Sequence, residues 1–412
     1  MATSLEASVE ATLSTLSAEA PQRRAQPFNI FRVPACIREG NPTAYEPRMV
    51  YIGPYYHGAA GLRAMEDHKW LYLHDLLSRN AALSSSLLIQ EMRALEPRAR
   101  ACYGERPLLG PDDFVRILLL DGCFILEFFF KWHTKEPDAL CDVGWGLTLV
   151  NADLLLLENQ IPFFVVERLH DLVVGAQGGG RENLVNLLLE YMSNEDLIAP
   201  PSGTCEIHHL LHLYYESFVP RRPLVPPPPS SSSPTPTRVV PRATEMSAAG
   251  VSLVRRRSAR DSYDVAFDGR RGVMEIPSVV IDGAKRPLLV NLIAFEQSRR
   301  RRGYVSLMGM LVGGAQDVEL LRRRGILENL LADDDEAARF FSHLGEGGGM
   351  NYERHVFAGL YEDANRAALR RKYFGSPWSA VSFVGAALVV ALTATRTYFI
   401  HRVSQQVVIC QS

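Results

Sequence analysis

The sequence predicts a mainly α fold: a multi-helix globular body, a small β-hairpin module and one C-terminal transmembrane helix. Three observations carry that reading. Apolar residues recur at helical spacing through much of the chain, as in Leu71, Leu73, Leu76 and Leu77, or Leu87, Leu88, Met92 and Leu95. One pair of short β-rich runs, Tyr263–Gly269 and Val273–Pro277, flanks a glycine-containing turn. Residues 377–400 form an apolar run whose single charge is Arg396.

The totals bound the rest. A chain of 412 residues holds two or three domains or one large one, and 47% apolar with 22% charged residues is ordinary for a globular protein. A net charge of −2 argues against general nucleic-acid binding. The basic runs Arg255-Arg256-Arg257, Arg299 to Arg302 and Arg322-Arg323-Arg324 read as solvated faces, offset by acidic segments such as Asp333 to Glu336. The other reading is phosphate or RNA contact. Six cysteines lie far apart without a Cys-x-x-Cys pair, which does not suggest a disulfide scaffold. The first 24 residues lack an apolar signal-peptide core, and the proline in Asn41-Pro42-Thr43 excludes it as a glycosylation acceptor. These facts favour a body facing the cytoplasm.

Residues 1–27 are expected to be disordered. Residues 28–218 form an N-terminal helical part that opens with a turn-rich segment punctuated by Pro34, Pro47, Gly53, Pro54 and Gly58. His57, next to Tyr55 and Tyr56, reads as a packed or capping histidine, because no partner base or nucleophile stands near it. Two helices fill Met65 to Ala101. Asp112 and Asp113 suit the first turn of the next helix, where the dipole favours acids. That helix is apolar enough to be buried, so Asp121 and Glu127 within it need partners.

The stretch Asp153 to Glu167 organises the chain. It is apolar on both flanks, with Glu158, Asn159 and Gln160 in its middle and Pro162 just after them. Three consecutive helical residues sweep about 200° of the axis, so at least one of them is expected to be buried with partners. Pro162 removes the N–H that would bond the carbonyl of Glu158, and a nearby side-chain amide could replace it. The stretch therefore reads as a kinked central helix carrying a buried polar cluster. Further on, Cys205, His208 and His212 stand at offsets of three and four residues. They could share a helical face as metal ligands. With one cysteine and no second ligand pair, a satisfied helical surface is the preferred reading. No metal and no cofactor are expected.

Residues 219–242, rich in proline and serine, read as an extended, mobile linker. Residues 243–374 form the C-terminal part of the body. A short helix from Thr244 leads into a strand, followed by the hairpin and an apolar helix, Leu288 to Gln297. Further helices are expected at Tyr304–Val312, Asp317–Arg323, Asp334–His343 and Tyr352–Tyr373. The helix Leu288 to Gln297 echoes the central stretch, and Asn291, Glu296 or Gln297 is expected to meet the cluster at Glu158 to Gln160.

As a helix of about 22 residues, the apolar run covers about 33 Å, enough for a hydrocarbon core. Trp378 and Tyr398 fall where interfacial aromatics belong, Phe383, Leu388 and Leu392 lie within the span, and Arg396 can snorkel. A buried core helix is the other reading. Arg366, Arg370, Arg371 and Lys372 precede the span, which places the body in the cytoplasm by the positive-inside rule; residues 401–412 are a short tail. The chain has no P-loop, dinucleotide glycine fingerprint, nucleophile elbow or His-Glu-x-x-His helix, which lowers the odds of an enzyme.

Several motifs resemble a known family. They are Ile37-Arg38-Glu39, Ala44-Tyr45-Glu46-Pro47, Ile52-Gly53-Pro54-Tyr55, Met65 to Lys69, Leu118 to Phe124, Leu157 to Phe163, Asn291 to Gln297, and Tyr373-Phe374 with Pro377-Trp378. In this order they resemble the plant "domain of unknown function 247" family over nearly the whole chain. The resemblance implies a land-plant protein with a C-terminal membrane anchor, commonly at the plasma membrane. It also implies relatives in grasses involved in pollen–stigma self-incompatibility, and no established catalytic residues. The expected function is that of a non-enzymatic, membrane-tethered interaction or recognition protein. Its expected partners are the lipid bilayer and unidentified proteins, with no nucleic acid. The alternatives are a membrane-associated hydrolase or metal enzyme using His57 or His208 and His212, and an RNA-binding protein using Arg299 to Arg302.

Overall fold

The computed structural model describes residues 4–25, 29–175, 180–192, 200–201, 205–218, 241–259, 262, 264–298, 304–346, 360, 363–364, 385–386 and 388–397. The expected linker (219–240), most of Tyr352–Tyr373, Arg299 to Arg302 and the tail lie outside the described residues.

Helix α1 (Ser4–Ala25) occupies the stretch expected to be disordered. Its Ala, Glu, Leu and Ser content favours a helix, but apolar residues gather on no one face, and Leu5, Val9 and Leu13 are exposed. The body begins with a strap, residues 29–62, that holds the single-turn helix α2 (Ala35–Arg38) and two short 3-10 turns (Pro42–Tyr45 and Ala60–Leu62) and is otherwise irregular. Next come α3 (Ala64–Arg79), α4 (Ser85–Ala101) and α5 (Pro111–Thr134). Helix α5 is the axis of the N-terminal part. Pro111 starts it, Asp112 and Asp113 sit in its first turn, and Lys135 ends it in the left-handed region at φ 55°. Its residues from Ile117 to Phe129 are all buried, so it is apolar on every side.

Around α5 pack α3, α4, α7 (Phe163–Val174) and α8 (Gly180–Met192). Tyr72 of α3 stacks on Phe124 at 5.2 Å, and Tyr191 of α8 meets Phe128 and Phe129 edge-on. The two acids of α5 both find cations. Asp121 accepts from Lys69 Nζ at 2.6 Å, and Glu127 takes both arms of Arg79 at 2.6 and 2.7 Å.

Helix α6 (Gly146–Leu154) and α7 replace the kinked central helix expected from sequence. Residues 155–162 between them are not helical, and Pro162 caps α7 instead of kinking it. The physical reason is that Pro162 suits a position where its missing N–H would be unsatisfied anyway. Helix α9 (Leu210–Phe218) begins after Cys205, so Cys205, His208 and His212 do not share one helix.

The C-terminal part begins with α10 (Ala243–Ala248) and β1 (Ser252–Arg255). The expected hairpin is present as β2 (Ala266–Asp268) antiparallel to β3 (Val273–Ile276), and β1 joins it parallel to β3, giving the order β1-β3-β2. A second, parallel pair joins β4 (Val279–Ile281) to β5 (Leu327–Asn329). Between those two strands run α11 (Lys285–Ser298), α12 (Tyr304–Leu311) and α13 (Ala315–Arg323), and α14 (Asp334–Glu346) follows β5. One continuous apolar core unites both parts.

The expected transmembrane helix is not supported: among the described residues, no helix is long and apolar enough to cross a membrane. Leu388 and Leu392 lie in the helical stretch 388–397, both exposed. Thr393, Thr395, Arg396 and Thr397 dilute its apolar character. Trp378, Phe383 and Tyr398 lie outside the described residues.

Candidate functional site

The residues from Leu155 to Ile161 are 2% exposed or less although they form no regular structure. An irregular backbone in a core has no ladder of its own, so its N–H and C=O groups need other partners. Polar side chains within and around the turn supply them. Gln160 Nε2 donates to the carbonyl of Leu154 (2.8 Å), which the end of α6 leaves open, and to that of Leu156 (2.7 Å), which also accepts from Asn159 N. Asn159 Nδ2 donates to Asp153 O (2.8 Å) and Val50 O (3.0 Å), and its Oδ1 accepts from Ile52 N (2.7 Å). The Tyr103 hydroxyl donates to Gln160 O at 3.0 Å.

Carboxylates fasten the strap to the same turn. Asp153 accepts from the N–H groups of Arg48, Met49 and Val50 at 3.0, 2.7 and 2.8 Å. Burial pushes its carboxyl above the ordinary carboxylate value, against the pull of those three donors. Asp121 accepts from Gly53 N at 2.6 Å, and burial raises its carboxyl too, opposed by Lys69. Glu158 accepts from Val33 N (2.6 Å), from the Tyr56 hydroxyl (2.7 Å) and from the Arg38 guanidinium, with Arg32 at 3.6 Å. Gly53 is required at the tightest point of this contact. Its φ is +78°, and a Cβ there would stand 2.3 Å from Gln160 O.

Helix α11 closes the arrangement from the other side. Asn291 Oδ1 accepts from Leu157 N at 2.8 Å, and its Nδ2 donates to Ala44 O and Pro287 O, both at 2.8 Å. The structure therefore brings Glu158, Asn159, Gln160 and Asn291 together. Glu296 is buried farther along α11, and Gln297 is half-buried and faces a groove. The sequence reading did not place Asp153, Lys69, Arg38 or Tyr56 in this cluster. The available signal was Asp153 at the edge of the same apolar stretch, a carboxylate that burial obliges to find donors.

That groove has a volume of about 710 Å³ and runs between the start of the strap and the end of α11. Phe31, Val33, Pro34 and Ile37 form one wall, and Ala294 and Phe295 form the other. Arg32, Glu105, His208 and Gln297 supply polar groups along it. The buried turn braces both walls, through Glu158 on Val33 N and through Asn291 on Leu157 N. Asn29 Oδ1 and Gln297 Oε1 also belong to lining residues, and both are buried without a hydrogen-bond donor among the described residues.

Of the histidines weighed as catalytic or metal-binding, His208 lines the groove, while His57 and His212 pack elsewhere. His57 packs edge-on against Tyr51 at 5.5 Å. His212 accepts from His208 N through Nδ1 at 3.1 Å and meets Glu216 through Nε2 at 3.1 Å. His209 Nδ1 accepts from His212 N at 3.2 Å. Among the described residues, no three His, Cys, Asp or Glu side chains are grouped to hold a metal ion.

Comparison with known proteins places this arrangement. The chain is 29% identical over 410 residues to UPF0481 protein At3g47200 of Arabidopsis thaliana, covering 88% of this chain and 84% of that one. It is 21% identical over 479 residues to putative UPF0481 protein At3g02645 of the same plant, covering 90% and 89%. No solved structure gives a significant match. Residues 30–392, which include the strap, the buried turn and α11, match the family DUF247, described as "Plant protein of unknown function". The chain belongs to that family.

Proposed function

We propose that this chain is a non-enzymatic recognition protein that takes a segment of a partner protein into the groove between the strap and α11. The groove itself carries this reading: about 710 Å³, with apolar walls of Phe31, Val33, Pro34, Ile37, Ala294 and Phe295 and with polar side chains along it. Arg32, Glu105 and Gln297 along the groove would meet the main-chain N–H and C=O groups of an extended segment. The apolar walls would receive its side chains, which is the usual division of labour in peptide recognition. Bracing by a fully bonded turn supports the same reading, because a preformed groove spends less binding energy on ordering itself.

Proximity labelling from a tagged full-length chain in plant cells tests it. Ser298→Arg puts a long charged side chain at the exposed rim of the groove, while Ile89→Arg changes a distant surface position on α4. Proteins labelled by both the wild type and Ile89→Arg are expected to fall about tenfold with Ser298→Arg, the effect of about 1.4 kcal/mol of lost affinity. Equal labelling by all three, with melting curves showing all three folded, contradicts the proposal.

A further inference from the structure

A second cleft lies on the other half of α11, bounded by the end of β1 and by β4. Its volume is about 340 Å³. Leu289, Leu292, Met308 and Phe341 make an apolar, buried floor. Arg255, Arg256, Arg257 and Lys285 stand around it, and no carboxylate lines it among the described residues. We propose that this cleft binds a small amphipathic anion, with an apolar body on the floor and a single carboxylate, sulfonate or phosphate head at Arg255 and Arg257.

The three arginines differ in what they already hold. Arg256 is committed: it pairs with Glu275 at 2.6 Å and with Asp264 at 3.0 Å. Arg255 and Arg257 are exposed, and neither makes an ion pair among the described residues. Arg255 is nonetheless positioned, because its stem runs beside Gly325, which has a left-handed φ of +67° and whose Cβ position is 3.6 Å from Arg255 Cδ. An arginine run on a bare surface is only a solvated face. Here it stands over an apolar hollow, where low local polarity strengthens its attraction for an anion. Guanidinium forks suit oxyanion heads. The volume falls at the small end of ligand pockets, which suits one ring system or a short chain. None of the residues named here lines the peptide groove, so the inference stands apart from the proposed function.

Titration of the full chain with 8-anilinonaphthalene-1-sulfonate, followed by fluorescence and calorimetry, tests it. One saturable site is expected. The double variant Arg255→Glu/Arg257→Glu should weaken it about tenfold or more, and Arg63→Glu, an exposed arginine outside the cleft, should leave it unchanged. The uncharged N-phenyl-1-naphthylamine, which has the same body without the head, should bind about tenfold more weakly. Decanoate or octyl phosphate should displace the dye. Equal affinity for the double variant or for the uncharged analogue, many weak sites instead of one, or failure of both competitors overturns the proposal. Melting curves establish that each variant is folded.

Discussion

Asp138 shows how single polar residues are used throughout this protein. Its carboxylate accepts from the Tyr72 hydroxyl (2.7 Å), Leu140 N (2.8 Å) and Lys131 Nζ (3.1 Å). Burial alone would raise the carboxyl, but these donors outweigh it and hold it below its ordinary value of 3.8. A carboxylate depressed in the folded state stabilises the fold at pH above its unfolded value and loses that contribution as pH falls through its folded value. Asp138→Asn should therefore cost about 1–3 kcal/mol near neutral pH. It should also flatten the loss of stability below 3.8, read from urea unfolding across the acid range. An acid limb as steep as the wild type's contradicts this. At this scale the sequence was partly legible. Asp121 and Glu127 stand in an apolar helix and must have partners, but which cations serve them depends on α3, whose Lys69 and Arg79 lie about fifty residues earlier.

At the scale of elements, helical spacing located most of what forms. The two helices of Met65–Ala101, the buried α5, the hairpin and α11 through α14 all follow from apolar periodicity and breakers. The break between α6 and α7 did not follow. Asn159 and Gln160 can bond the carbonyls of residues 153, 154 and 156 only where the helix has let those carbonyls go, and the strap that completes the contact lies about a hundred residues upstream. Strands β4 and β5 also escaped, because each has three residues and their parallel pairing spans the whole of α11 to α13. The apolar run at 377–400 satisfied a hydropathy rule without forming, among the described residues, a helix of the length that the rule assumes. The link from α11 to the turn is testable by a double-mutant cycle. Asn159→Ala orphans Ile52 N–H and the carbonyl of Val50 and removes one of two donors to the carbonyl of Asp153, a loss of about 2 kcal/mol or more. Asn291→Ala orphans Leu157 N–H in the same turn, so the two losses should fall short of additivity by about 1 kcal/mol. Strict additivity in denaturant unfolding would mean that α11 and the turn are braced independently.

For the whole molecule, the buried turn is the point where the N-terminal strap, the α5 bundle and α11 are fastened together, and the groove opens between two of the elements it holds. The polar motifs lie inside the protein and fix the shape of the groove at its surface. Amide hydrogen exchange on the native chain tests that most directly. The N–H groups of Val33, Met49, Val50, Ile52, Gly53 and Leu157 all donate to buried side-chain oxygens, although none lies in a helix or strand. They should exchange as slowly as the core amides of α5, and Asn159→Ala should speed exchange across the strap. Exchange of those six amides in the wild type at the rate of an open loop would contradict the account.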